Sequence, residues 1–249
     1  MTRLIRAEFT KLRTTRLIYG VAAVMAAFAI LTVIAGIAYA GRDGNPSLSA
    51  DSLPTIVAAP VTLLSGAGLL LGILGMAGEF RHQTVTQTFL VTPDRGRVVA
   101  AKLVAYPLAG IALALGILAF TAAVAAGWLA TEGMTPSLLD ARLGRVLLGA
   151  VLAAGLCGLV GVGVAALVRN QVAALVGVLV WVLVVEGLLM SLLQAPSSLG
   201  KWLPSAAAAA LTNPGGGQLS RLAGTLLLAG YALALALVGT RVVVRRDIT

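Results

Sequence analysis

The sequence predicts an all-α polytopic membrane protein with six transmembrane helices and both termini on the cytoplasmic side. Three observations predict it. Hydrophobic residues make up 59% of the 249 and charged residues only 11%, against roughly 25% charged in a soluble domain. The apolar residues gather into six runs, each long enough to cross a hydrocarbon core of about 30 Å. The basic residues lie between the runs and divide unevenly between alternate loops, as the positive-inside rule requires.

Residues 1–16 open the chain with Arg3, Arg6, Lys11, Arg13 and Arg16. Ile5, Phe9 and Leu12 fall at i, i+4 and i+7, on one helical face, so the segment reads as a basic amphipathic helix suited to the membrane interface. Residues 17–40 form the first span, uncharged throughout. Ala38-Tyr39-Ala40 resembles a signal-peptidase site, but the apolar run exceeds a signal peptide's core of roughly 7–15 residues, which favours a retained span. Residues 42–51 form an outer loop.

The second span covers residues 53–78, with Gly68 and Gly72 at the four-residue spacing that lets helix backbones approach closely. Residues 79–103 form the longest polar interval between two long apolar runs and belong on the inner side. Their first part, from Glu79 to Leu90, lacks Pro and Gly and can be a short helix; Pro93, Asp94 and Gly96 then make a turn. Spans three to five cover residues 104–130, 146–168 and 172–193. An outer loop reaches Arg145, and Arg169-Asn170-Gln171 makes a short inner turn. Ala154, Gly158, Gly161 and Ala165 form a small-residue stripe on the fourth span.

Between spans five and six, residues 205–211 form an Ala-rich helix stopped by Asn213-Pro214 and three glycines. It is too short to cross a bilayer and reads as an interfacial or re-entrant helix. Residues 222–244 are the sixth span. With this topology, 13 Lys and Arg residues lie inside and 5 outside.

The net charge of +9 therefore acts as a topology signal and a contact with membrane lipid headgroups. With no basic groove or aromatic platform, nucleic acid is not an expected partner. One cysteine, Cys157, and one histidine, His82, exclude an internal disulfide, a thiolate metal cluster and a Ser-His triad within the chain. No HExxH, GxSxG or GxxxxGK[ST] motif is present. The chain is thus not expected to be an enzyme, and no metal or cofactor site is expected on it.

Glu186 is the one acidic residue placed within a span. A carboxyl group at that depth is a functional candidate by default, for a proton or a cationic substrate; the alternative is a structural carboxyl hydrogen-bonded to a neighbouring helix. Glu79 and Arg81, at the inner end of the second span, either pair with a partner's charges or mark the interface. Thr84 and Thr88, four apart with Leu90 beyond, can form a docking face.

Taken together, residues 6–13 (RAEFTKLR), residues 79–88 (EFRHQTVTQT), Pro93 with Arg95 and Lys102, Glu186 and Trp202-Leu203-Pro204 follow a recognisable order. The chain resembles the membrane-spanning permease subunit of type-2 ATP-binding-cassette (ABC) exporters, in the form common in high-GC Gram-positive bacteria, over essentially its full length. The resemblance implies a multi-pass protein of the bacterial plasma membrane. It implies an elbow helix carrying Ile5, Phe9, Leu12 and Arg13. It implies a coupling helix at residues 83–90, with ATPase contacts through Glu79, Arg81, Gln83, Thr84, Thr88 and Leu90, and a re-entrant element at residues 205–211. It also implies two copies of a separate ATP-binding subunit, which would hold the ATP and Mg, and a second permease, identical or related. The substrate is not implied. Two other classes stay open: an ion- or proton-coupled secondary carrier using Glu186, and a non-transporting anchor or sensor subunit.

Overall fold

In a computed structural model of the chain, the described residues are 1–42, 47, 49–135, 141–193, 198–212 and 219–245. Among them no strand occurs, and six helical segments are long and apolar enough to cross a membrane. The protein is thus all-α and multi-pass.

The helices are α1 (Thr2–Thr14), α2 (Leu17–Ala38), α3 (Leu53–Ala58), α4 (Val61–Arg81), α5 (Thr84–Val91), α6 (Arg95–Thr131), α7 (Ala141–Val168), α8 (Gln171–Val180), α9 (Glu186–Leu193), α10 (Pro204–Thr212) and α11 (Arg221–Arg245). A π-helical turn, Trp181–Val185, joins α8 to α9. The six membrane-length segments are α2, α3 with α4, α6, α7, α8 continuing through the π turn, and α11.

The core is built on the contact of α4 with α7. The small-residue stripes of the two helices face each other. A Cβ on Gly72 would run into the backbone of Gly158, and one on Gly161 into the backbone of Leu69. In lipid, apolar side chains have no preference for each other over acyl chains, so close backbone packing of this kind holds the bundle together. α6 and α11 flank the pair. α2 has only Ala29 and Val33 buried, and α8 only Ala174, so both lie at the periphery of the chain.

Several boundaries differ from the sequence expectation, each for a local reason. The second span is interrupted: α3 ends at Ala58, and Pro60, which has no N–H to donate, stands at the N-cap of α4. The third span begins at Arg95 rather than residue 104, because the Asp94 carboxylate accepts from the Arg97 N–H at 3.1 Å and caps a helix of 37 residues. Gly96, expected in a turn, is helical. At about 1.5 Å per residue, α6 is some 55 Å long and overreaches the hydrocarbon core. The fourth span also starts early, at Ala141, so Arg145 is helical and its Nε donates to the Ala141 carbonyl at 3.2 Å. The short turn expected at residues 169–171 keeps its place: Arg169 has φ 55°, and the Asn170 side chain accepts from the Ala173 N–H at 3.0 Å to cap α8. The expected stop at residues 213–217 lies outside the described residues, as do parts of the segments expected to be the first and second outer loops.

Candidate functional site

Two places gather the chemistry: a charged junction of α1, α4 and α6, and the surroundings of Glu186.

Lys102 stands in α6 and is wholly buried. A lysine can be buried at this depth only if its charge is met, and here it is met twice. Its Nζ lies 2.7 Å from Glu8 Oε2 and 2.8 Å from Glu79 Oε1, and it donates to the Gly75 carbonyl at 3.2 Å. Lys11, one turn beyond Glu8 on α1, lies 2.9 Å from Glu8 Oε1 and 2.6 Å from Glu79 Oε1. The Tyr106 hydroxyl, one turn after Lys102, donates to Glu8 Oε2 at 3.3 Å. Gly75 admits the Tyr106 ring, which a Cβ there would strike. Two carboxylates and two ammonium groups thus form a cluster of zero formal charge. It ties the N-terminal helix to two membrane-length helices.

The apolar side of α1 completes the joint. Leu12 packs with Ile73, Met76, Ala77 and Val99, and Phe9 lies against the same group. Ile5 is half-buried and Arg13 exposed.

Lys11 feels opposing effects. Burial alone pushes its ammonium pKa down, but the hydrogen bonds and charges of Glu79 and Glu8 outweigh it, so the pKa is raised above 10.5. A raised lysine stabilises the folded form fully below its ordinary value, and that contribution is lost as the pH rises through the raised one. The docking of α1 is therefore expected to be insensitive to pH from 6 to about 10 and to loosen only at higher pH. The effect should be modest because the Lys11 side chain is 42% exposed. Proteolysis at the α1–α2 joint followed against pH checks this; a loosening already complete by about pH 8 would contradict it.

α5 follows α4 just beyond this junction. Gln83 stands at its N-cap with φ 54°, outside the helix, and turns the chain back from α4. Val85 is buried and anchors the helix, whereas Leu90 and Val91 are 78% and 86% exposed. Thr84 is exposed, and the Thr88 hydroxyl donates to the Thr84 carbonyl at 3.1 Å. The Arg95 guanidinium sits over the Phe89 ring, 5.5 Å from its centre. Thr88 and Val91 share a groove of about 310 Å³ with Leu4 and Ala7 of α1. Of the predicted contact residues, Gln83, Thr84, Thr88 and Leu90 therefore lie on or beside one short helix. Arg81 is exposed at the end of α4. Glu79 is turned inward, with its carboxylate engaged by Lys102 and Lys11.

Sequence reasoning missed Glu8 and Lys102 as partners. A signal was present in α1: Glu8 lies at i+3 from Ile5 and i+4 before Leu12, on the apolar stripe rather than the charged side.

Glu186 is 2% exposed. The π turn places it directly over Trp181, five residues earlier: the Glu186 N–H bonds the Trp181 carbonyl, and Trp181 Nε1 donates to Glu186 Oε1 at 2.7 Å. Its other oxygen accepts from the Ser205 N–H at 3.2 Å. Pro204 has no N–H, so Ser205 supplies the first free donor of α10, and the carboxylate caps that helix from another span. The expected short helix at residues 205–211 is α10, with Ala206, Ala207, Ala210 and Leu211 buried. A cavity of about 940 Å³ lies beside Glu186, between α4, α7, α8, α10 and α11. Among the described residues, no three His, Cys, Asp or Glu side chains come together as a metal site.

No protein-family model matches the chain, and no curated protein matches it.

Proposed function

We propose that this chain is the permease subunit of an ATP-driven exporter of the type-2 ABC kind, forming a substrate pathway across a bacterial plasma membrane. The observation that carries the reading is α5: a short helix between two membrane-length helices, anchored by buried Val85 and ending in exposed Leu90 and Val91. Exposed apolar residues at the tip of a polar connection favour a protein partner. The chain has no phosphate-binding loop, so ATP and Mg would be bound by a separate ATPase subunit, two copies of which would serve two permeases, identical or related.

In this reading α1 is the elbow helix, α5 the coupling helix and α10 the re-entrant element. Both termini are cytoplasmic, and the basic inner segments face the lipid headgroups. Closure of the ATPase pair would push on α5, and the junction would pass the displacement to α1, α4 and α6 as one piece. Coupling requires that α5 bind the ATPase differently in its two states.

The test is affinity capture of the tagged chain in mild detergent, followed by mass spectrometry. A Walker-motif ATPase is expected with the intact chain, and at least 10-fold less when residues 83–90 are replaced by a Gly/Ser linker. Equal recovery with both would remove α5 from the interface, and no ATPase with either would remove the reading.

A further inference from the structure

We propose that the cavity beside Glu186 is a binding site for a lipophilic monocation, with the positive group at the carboxylate and the apolar body in the cavity. As a substrate class it rests on the transport reading above. As a binding site it belongs to this chain alone and is tested without the ATPase.

Three observations converge on it. The cavity, about 940 Å³, stands at the upper end of the range of small-molecule sites, roughly 300–1,000 Å³. Its walls are almost wholly apolar, with Leu69, Cys157, Val164, Leu228 and Leu235 among them. Such walls hold a hydrocarbon body without asking for hydrogen bonds. At one end stands the Glu186 carboxylate, 2% exposed and lining the same space.

The charge accounting selects the sign of the ligand. A carboxylate offers about four acceptor positions, and Glu186 uses two, for Trp181 Nε1 and the Ser205 N–H. Both donors are neutral. Among the described residues no Lys, Arg or His forms a salt bridge with Glu186, whereas Glu8 and Glu79 have two ammonium partners each. Helix α10's N-terminus lends partial positive charge only. A buried carboxylate in an apolar wall is completed by a cation, is indifferent to a neutral acyl chain and repels an anion. A metal ion would need several more oxygen ligands, and among the described residues lining the cavity Glu186 is the one acidic side chain.

The walls add aromatic surface. Trp181 and Tyr231 both line the cavity, and the Tyr231 hydroxyl is occupied, donating to the Trp202 carbonyl at 2.8 Å. Aromatic faces attract an organic cation once it is stripped of water. Trp181 and Val182 line the cavity yet remain 45% and 42% exposed, so the space is open along the fifth span, and a ligand dissolved in the bilayer can enter from the side.

Two variants separate charge from volume. Glu186→Gln removes the charge and keeps the size. Gly177→Phe fills the space: Gly177 lines the cavity, and a Cβ there meets nothing within 4 Å, so the backbone accommodates the change.

The measurement is saturable binding of tritiated tetraphenylphosphonium to the purified full-length chain in detergent, with each variant first matched to the parent by size exclusion. Expected are saturable binding by the parent, at least 10-fold weaker binding by Glu186→Gln, and binding reduced to background by Gly177→Phe. Tetraphenylborate, of the same shape and opposite charge, should not bind saturably. No saturable binding by the parent overturns the proposal. So does binding within about 2-fold of the parent in either variant, which would place the cation elsewhere. Failure here alongside successful ATPase capture sinks this site and leaves the transport reading standing; binding without ATPase capture does the reverse.

Discussion

Lys102→Met is expected to destabilise the protein by about 3–5 kcal/mol, the cost of removing one partner from a buried ion pair. Lys102 is wholly buried and meets both Glu8 and Glu79. Methionine matches its length and apolar stem but leaves two carboxylates to share Lys11, whose side chain is 42% exposed. The junction would go from neutral to one excess negative charge, with Glu8 buried and its nearest remaining cation, Lys11, partly in solvent. Thermal unfolding in detergent should move down by on the order of 10 °C. Adding Glu8→Gln restores neutrality, with Glu79 and Lys11 as the surviving pair, and should recover about half of the loss. Two results would contradict this account: a midpoint within about 2 °C of the parent, or a double variant no better than the single one.

Gly161→Leu is the second large effect, expected to cost about 3 kcal/mol or more, at the upper end of overpacking penalties. The Cβ would meet the carbonyl oxygen of Leu69, a backbone atom of α4 that no rotamer change moves aside. Only separation of α4 from α7 relieves the clash, and that contact is the centre of the bundle. Gly116→Leu on α6 is the control, since a Cβ there meets nothing within 4 Å. Leucine also has the higher helix propensity, by somewhat under 1 kcal/mol. Unfolding midpoints should therefore fall sharply for Gly161→Leu and stay level or rise for Gly116→Leu. Equal midpoints would show that close backbone contact does not hold these helices together.

The six spans were legible because lipid demands long uncharged runs, and little else in the chain competes with that signal. The Gly68/Gly72 and Gly158/Gly161 stripes were legible for the same reason: small residues at a spacing of about one turn have few other uses in a membrane. The ends were harder. Charge reads as loop, so the chain before residue 104 looked extramembrane. The fold instead carries helix α6 through Lys102 by surrounding that residue with two carboxylates from distant parts of the sequence. Nothing local predicts a partner 94 positions away. Glu186 stood out as the lone acid in a span, but its two donors depend on a π turn and on the placement of α10, and neither leaves a pattern in the amino-acid order. The short helix α5 was visible as an interval without Pro or Gly, while the left-handed Gln83 that aims it was not.

The neutrality of the junction also decides how it answers to voltage. Moving one elementary charge through a full membrane potential involves about 2.3 kcal/mol per 100 mV. Glu8, Lys11, Glu79 and Lys102 sum to zero, so carrying them along the field as one body takes no net electrical work. Any electrical work in displacing that joint would therefore come from the other charges its helices carry, Arg3, Arg6 and Arg13 of α1 among them.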